Sequence, residues 1–236
     1  MEQPDKDKMA TWQDFFATQD LPHIRDWITY TRRQGVAVYP SDQVIFRAFD
    51  LTPLDQVRVV LLGQDPYADG KADGLAFSAS NAKRWPIALQ RIVAEVKNDG
   101  FEVASIWRGS LDAWAKQGVL LLNTALTVQH GTSGVFAQQW QRFTRDCIDF
   151  LAIRRRPHFI LWGSAAMATF HDAVKLRLDS DSVTPHPNIT ASTYTYSAHP
   201  AARSATPKPF KGSNPFSKAN KVLAWRQRGV VDWSLR

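Results

Sequence analysis

Four polar side chains stand out because each closes a run of apolar residues. Asp65 lies in GQDPY, residues 63–67, directly after VRVVLLG at 57–63, and Asn123 is a lone amide within VLLLNTAL at 119–126. Ser164 follows Gly163 in PHFILWGSA at 157–165, and His199 with Pro200 ends ITASTYTYSAHP at 189–200. A carboxylate fixed in a tight turn by Pro66 at the end of a strand is placed for chemistry, because ligands in open α/β sheets bind beyond the carboxyl ends of the strands. Taken alone, GQDPY reads more readily as an ordinary polar turn, since Asp and Pro are common turn formers. Taken together, the four residues share one sheet edge if their strands are parallel, and they could converge on a single pocket.

The elements that must position them follow from period and punctuation. The run at 57–63 is β-branched and closed by Gly and then Pro, so it predicts a buried strand ending in a turn. The runs at 119–126 and 157–165 predict two more strands, and the alternation in 189–200 predicts a fourth. Between them the spacing predicts helices: two in WQDFFATQDLPHIRDWITYTRRQ with Pro22 opening the second, and a short one capped by Ser41 in SDQVIFRAFD. Further helices are predicted from Pro86 to Gly100, in SLDAWAKQG up to Gly118, in WQRFTRDCIDFLAI and in SKANKVLAWRQRG. ADGKADGLAFSAS, which carries Phe77, and HGTSG read as loops. Strands alternating with helices predict an α/β fold, a central four-stranded parallel sheet with helices on both faces.

With 236 residues, the chain can fill one sizeable core, and no repeat or linker divides it. The expected organisation is a disordered lead-in over 1–10 and one domain over 11–236. No apolar run approaches the roughly 20 residues that span a bilayer, and the polar start lacks a signal-peptide core, so an intracellular, cytoplasmic protein is expected. A single cysteine, Cys147, gives neither a disulfide nor a zinc cluster and suits core packing. From Ala201 to Arg236 there are eight basic residues against one acid, whereas the other 200 residues balance at 21 of each sign. The whole net charge of +7 therefore sits in this tail, which suits a polyanion such as nucleic acid or, more simply, a solvated basic face.

The strings GQDPY, GLAFS, LLLNT, LWGS and HP, in that order between about Trp27 and Trp233, resemble those of the family 1 uracil-DNA glycosylases. The resemblance implies a single-domain, three-layer α/β/α fold and an enzyme that flips uracil out of DNA and hydrolyses its glycosidic bond, with no cofactor and no metal. It implies that Phe77 stacks on the base, that the Asn123 amide reads the uracil edge, that Tyr67 excludes the thymine methyl, and that backbone amides around Gln64 and Asp65 hold the carbonyls. Asp65 would orient a water and stabilise the cationic sugar, and His199 would stabilise the uracil anion. Pro86, Ala88, Gly163, Ser164, Pro200, Arg203 and Ser204 would face the DNA, single- or double-stranded. The implied protein is a monomer without a membrane, a possible target of a proteinaceous glycosylase inhibitor, and nuclear if eukaryotic.

Three positions depart from the pattern. Ala68 stands where the family usually has His after GQDPY, which leaves Asp65 to find Asp69, Asp73 or a water nearby. Arg203 stands where a leucine usually enters the gap left by the flipped base, as a stacking group or one more phosphate contact. RWPIAL replaces the usual Pro-Pro-Ser turn, with Trp85 packed or exposed beside DNA. Two other readings remain: a catalytically weak DNA-binding or replication-accessory protein on the same fold, favoured by Ala68 and Arg203, and a glycosylase for another base, opposed by Tyr67 and Asn123.

Overall fold

The computed structural model describes residues 10–175, 193–203 and 205–236. Its centre is a parallel sheet of four strands: β2 (Val59–Gly63), β3 (Val119–Asn123), β5 (His158–Trp162) and β6 (Thr193–Ser197), in the order β3-β2-β5-β6. All five residues are buried in each of β2, β3 and β5. Successive side chains of a strand point to opposite faces, so both faces of the sheet are covered, which is why these strands read as unbroken apolar runs. The layers are supplied by α3 (Arg47–Leu51), α4 (Ile87–Asn98), α5 (Asp112–Ala115), α6 (Ala137–Arg154), α7 (Ser164–Lys175) and α8 (Pro215–Trp225). The α7 helix packs on β5 and β2, and α8 packs on β5 and β6.

The strand order puts a switch point between β2 and β5. The chain leaves β2 toward β3 and leaves β5 toward β6, so the connections diverge and open a crevice beyond the carboxyl ends of these two neighbours. Gly63 and Asn123 are register partners at that edge, as are Trp162 and Ser197. The four polar residues singled out by the sequence therefore do share one edge.

Several expectations change in detail. The helices α1 (Trp12–Ala17) and α2 (Leu21–Arg33) form as predicted, with Pro22 in the first turn of α2. Residues 41–50 do not form one helix capped by Ser41. A short 3-10 turn, Asp42–Val44, is followed by the separate α3, and Ser41 makes no side-chain cap hydrogen bond. The pattern of apolar residues there has helical spacing, but burying Ile45 and Phe49 against the sheet takes precedence over one continuous helix. Two-residue strands β1 (Val38–Tyr39) and β4 (Val128–Gln129) pair antiparallel beside the site, too short to leave a period in the sequence. Cys147 is buried in the core, and Trp85 packs its ring 4.9 Å from that of Trp107. The expected disordered lead-in, residues 1–10, lies outside the described residues apart from Ala10, as does Ser204.

Candidate active site

The site is built around Phe77. Its backbone takes φ +65°, a left-handed conformation that a bulky side chain rarely adopts and that the surroundings must enforce. They do so through Asp73, a buried carboxylate that accepts from Ser78 Oγ (2.7 Å) and from the Ser80 and Leu75 amides. Ser78 Oγ also accepts from the Leu111 amide, and the Ala76 amide donates to Leu121 of β3. Arg47 ties the same loop down, donating to the Asp73 carbonyl and to Asp112 Oδ2 at 2.6 Å. With the loop thus fixed, the Phe77 ring lies 5.1 Å from the Trp162 ring and 5.6 Å from the His199 ring, and the Phe77 carbonyl accepts from the Tyr67 hydroxyl (2.9 Å). Burial, reinforced by Asp73 and Asp69, pushes the Tyr67 hydroxyl far above its usual pKa, so it stays a neutral donor.

Asn123 meets this ring at Gly63. A Cβ on Gly63 would come within 2.6 Å of Asn123 Oδ1 and 2.8 Å of the Phe77 ring edge, so the strand must end in Gly for the amide and the ring to share the space. Asn123 is 8% exposed, and its Oδ1 is buried without any hydrogen-bond partner. Leaving such an acceptor unmade costs about 1–3 kcal/mol, an expense that a binding site recovers when a donor arrives.

Asp65 shows the same asymmetry. Its Oδ2 accepts from the Gly134 amide (2.9 Å), from Gln64 Nε2 (2.9 Å) and, over a short contact, from Ser133 Oγ. Its Oδ1 is buried and unpartnered. The partners of Asp65 thus come from the 130–134 loop rather than from Asp69 or Asp73, the two side chains that the sequence offers beside a water. Asp69 pairs with Lys71 instead, and Asp73 is consumed in holding the Phe77 loop. The contacts of Ser133 and Gly134 with Asp65 are ones that sequence reasoning missed. Gln64 bridges the two sides, since its amide also donates to Ser133 Oγ and its carbonyl accepts from the Ala125 amide.

His199 arrives from the other flank. Its Nδ1 accepts from the Ala201 amide (3.1 Å), so in the neutral ring the proton belongs on Nε2. Burial lowers its pKa, and the Asp65 carboxylate works in the opposite direction without cancelling the effect. The imidazole is thus a neutral Nε2–H donor at neutral pH. Gly163, at φ +96°, lets the His199 Cβ approach, since a Cβ there would lie 3.1 Å from it.

The expected DNA-facing residues are distributed around this crevice. Gly163 precedes α7, and Ser164, its first residue, is exposed. Pro86 is the N-cap of α4, whereas Ala88 is 4% exposed and has only its backbone to offer. Pro200 is buried, and Arg203 is exposed. The Arg91 guanidinium of α4 donates to the carbonyls of Pro200 and Ala202, both at 2.7 Å, while Glu95, one turn further, accepts from the Gly212 and Asn214 amides. One helix face thereby braces both ends of the segment carrying His199 and Arg203.

A parallel α/β sheet whose switch point holds an aromatic ring, an unpartnered amide, a half-satisfied carboxylate and a neutral imidazole has the layout of an enzyme for a flat polar ring. A family model described as the uracil DNA glycosylase superfamily matches residues 49–224. Among curated proteins, the chain is 39% identical over 234 residues to the uracil-DNA glycosylase of Azotobacter vinelandii, covering 96% of this chain and 94% of that protein. It is 38% identical to that of Coxiella burnetii, covering 95% and 94%. Among solved structures it is similar to mimivirus uracil-DNA glycosylase, with a TM-score of 0.77 and 26% identity over 95% of this chain and 86% of that one. A mimivirus variant crystallised in complex with UGI aligns with a TM-score of 0.76 and 25% identity, over 95% and 88%. The chain belongs to the uracil DNA glycosylase superfamily.

Proposed function

We propose that this protein is a DNA repair glycosylase that flips uracil out of DNA and hydrolyses its N-glycosidic bond, leaving an abasic site. The observation that carries the reading is the buried, unpartnered Oδ1 of Asn123 beside the Phe77 ring. Uracil brings an N–H donor next to a carbonyl acceptor, the complement of one side-chain amide. Cytosine brings the reverse pair, which would leave both amide groups opposed to like partners. In this reading the base stacks on Phe77, the Tyr67 ring crowds position 5, and backbone amides near Gln64 and Asp65 meet the carbonyls.

As the glycosidic bond breaks, its electron pair leaves with the base. The His199 Nε2–H donates to the uracil oxygen where that charge collects, a stabilisation largest in the transition state. The sugar left behind is cationic, and the Asp65 carboxylate faces it. Its Oδ1 accepts a proton of the water that adds to the sugar, while Oδ2 stays fixed by Ser133 and Gly134. Arg203 and the amides at Gly163 and Ser164 contact the strand. A proteinaceous inhibitor that copies the strand's charge is a fitting partner for the same crevice.

The test is product analysis on synthetic oligonucleotides carrying uracil, cytosine or thymine, with a chelator present. Free uracil and an abasic site from the first alone are expected. Tight binding to the uracil oligonucleotide with no product, even at high enzyme concentration, would instead support a binding protein on this fold.

A further inference from the structure

A cationic cleft lies at the opposite end of the sheet from the crevice. Arg58 precedes β2, Gln117 precedes β3 and Arg155 precedes β5, so they gather at the amino ends of parallel strands whose carboxyl ends carry the crevice. Five residues of strand separate the two, roughly 16 Å at about 3.3 Å each. Here a cleft of about 390 Å³ is walled by Arg58, Lys116, Arg155 and Arg228, and among the described residues that line it Asp55 is the only carboxylate.

Helix ends account for part of this charge. Arg58 donates to the Gln117 carbonyl just past α5, and Arg228 donates to the Arg155 and Arg156 carbonyls just past α6. Each helix end offers at most about half a negative charge. With Asp55 counted in full, four cations still leave an excess of about two positive charges, the charge of one phosphate dianion. The cluster is also under mutual repulsion. After burial, the neighbouring Arg155, Arg226, Arg58 and Arg156 each push the Arg228 pKa down. Donors remain for an anion, since the contacts described for Arg228 use its Nη1 alone and leave its Nε and Nη2.

We propose that this cleft is a phosphate-binding site, formed by Arg155, Arg228 and Lys116 with Arg58 behind them, separate from the catalytic crevice and independent of the excision reading. Its ligand is a phosphate group, borne either by the backbone of a second nucleic-acid segment or by a small phosphate compound. Guanidinium forks match phosphate oxygens in pairs, and a ligand here would relieve the repulsion among the arginines.

Thermal unfolding with inorganic phosphate, against chloride at equal ionic strength, tests the site directly. Saturating phosphate raises Tm by about 3 °C in the natural protein. Lys116→Glu, at an exposed position, and Arg155→Met each lose most of that rise while still releasing uracil at the natural rate. No rise in the natural protein, or an equal rise in both variants, overturns the proposal. The Lys116→Glu variant keeps the test valid if Arg155→Met folds poorly. Stoichiometric titration with a short uracil-free duplex separates the sources. Two duplexes per protein falling to one in Lys116→Glu assigns the site to nucleic-acid backbone, and one duplex in both, with the phosphate effect intact, assigns it to a small phosphate compound.

Discussion

The surroundings of Asp65 hold its two oxygens in different states. One oxygen is held by three donors and the other by none, so the carboxylate is oriented before any water or sugar arrives. Ser133 supplies one of those donors from an exposed loop. Ser133→Ala should lower kcat about tenfold, the value of one hydrogen bond to a charged group, with little change in KM or in Tm. Single-turnover kinetics and a melting curve check this, and an equal loss in Tm would make Ser133 merely structural. Asp65, Asn123 and His199 were legible in the sequence because each interrupts or ends an apolar run, where a polar side chain is conspicuous. Ser133 was not, since in HGTSG every residue is a plausible turn former and nothing distinguishes the one that reaches across to Asp65. If the Arg203 guanidinium fills the gap left by the flipped base, Arg203→Ala should reduce excision from duplex DNA at least about tenfold more than from single strands. Equal losses would leave it as a phosphate contact only.

The strands were readable as elements and their partners less so. Buried parallel strands give continuous apolar runs, which is why β2, β3 and β5 stood out, whereas the two-residue β1 and β4 and the break at Ile45 depend on contacts far away in sequence. The edge pairing of β5 with β6 carries a pH dependence. His158, 1% exposed at the start of β5, bonds Thr193 Oγ1 of β6 at 2.9 Å through Nδ1. Burial first, and then the Arg226 cation, push its pKa down from 6.5 to about 4. The folded state therefore binds fewer protons than the unfolded one between these values. The stability is fully present above pH 6.5 and is lost as pH falls toward 4, by up to about 3 kcal/mol. Urea unfolding at pH 7 and pH 4.5 should show this loss reduced in His158→Gln, and an identical pH response in both proteins would contradict it.

At the scale of the molecule, two charged regions sit at opposite ends of one sheet. The sequence located the excess charge in the last 36 residues, but only folding shows that Arg228 turns away from the crevice to join Arg58 and Arg155, while Arg91 and Arg203 stay beside it. If strand binding in the crevice is mainly to phosphates, log affinity for a uracil oligonucleotide should fall linearly with log salt, with a slope of about −0.9 for each duplex phosphate neutralised. Anisotropy titrations from 50 to 200 mM salt measure it, and a flat response would remove the electrostatic basis of the DNA reading. In the proposed reaction Asp65, Asn123 and His199, at three strand ends, act on uracil as one catalytic unit. Single-turnover uracil release by Asp65→Asn, His199→Ala and Asn123→Ala addresses it most directly. Each variant should remain folded and lose at least about a hundredfold in rate, and rates within twofold of the natural protein would contradict that joint role.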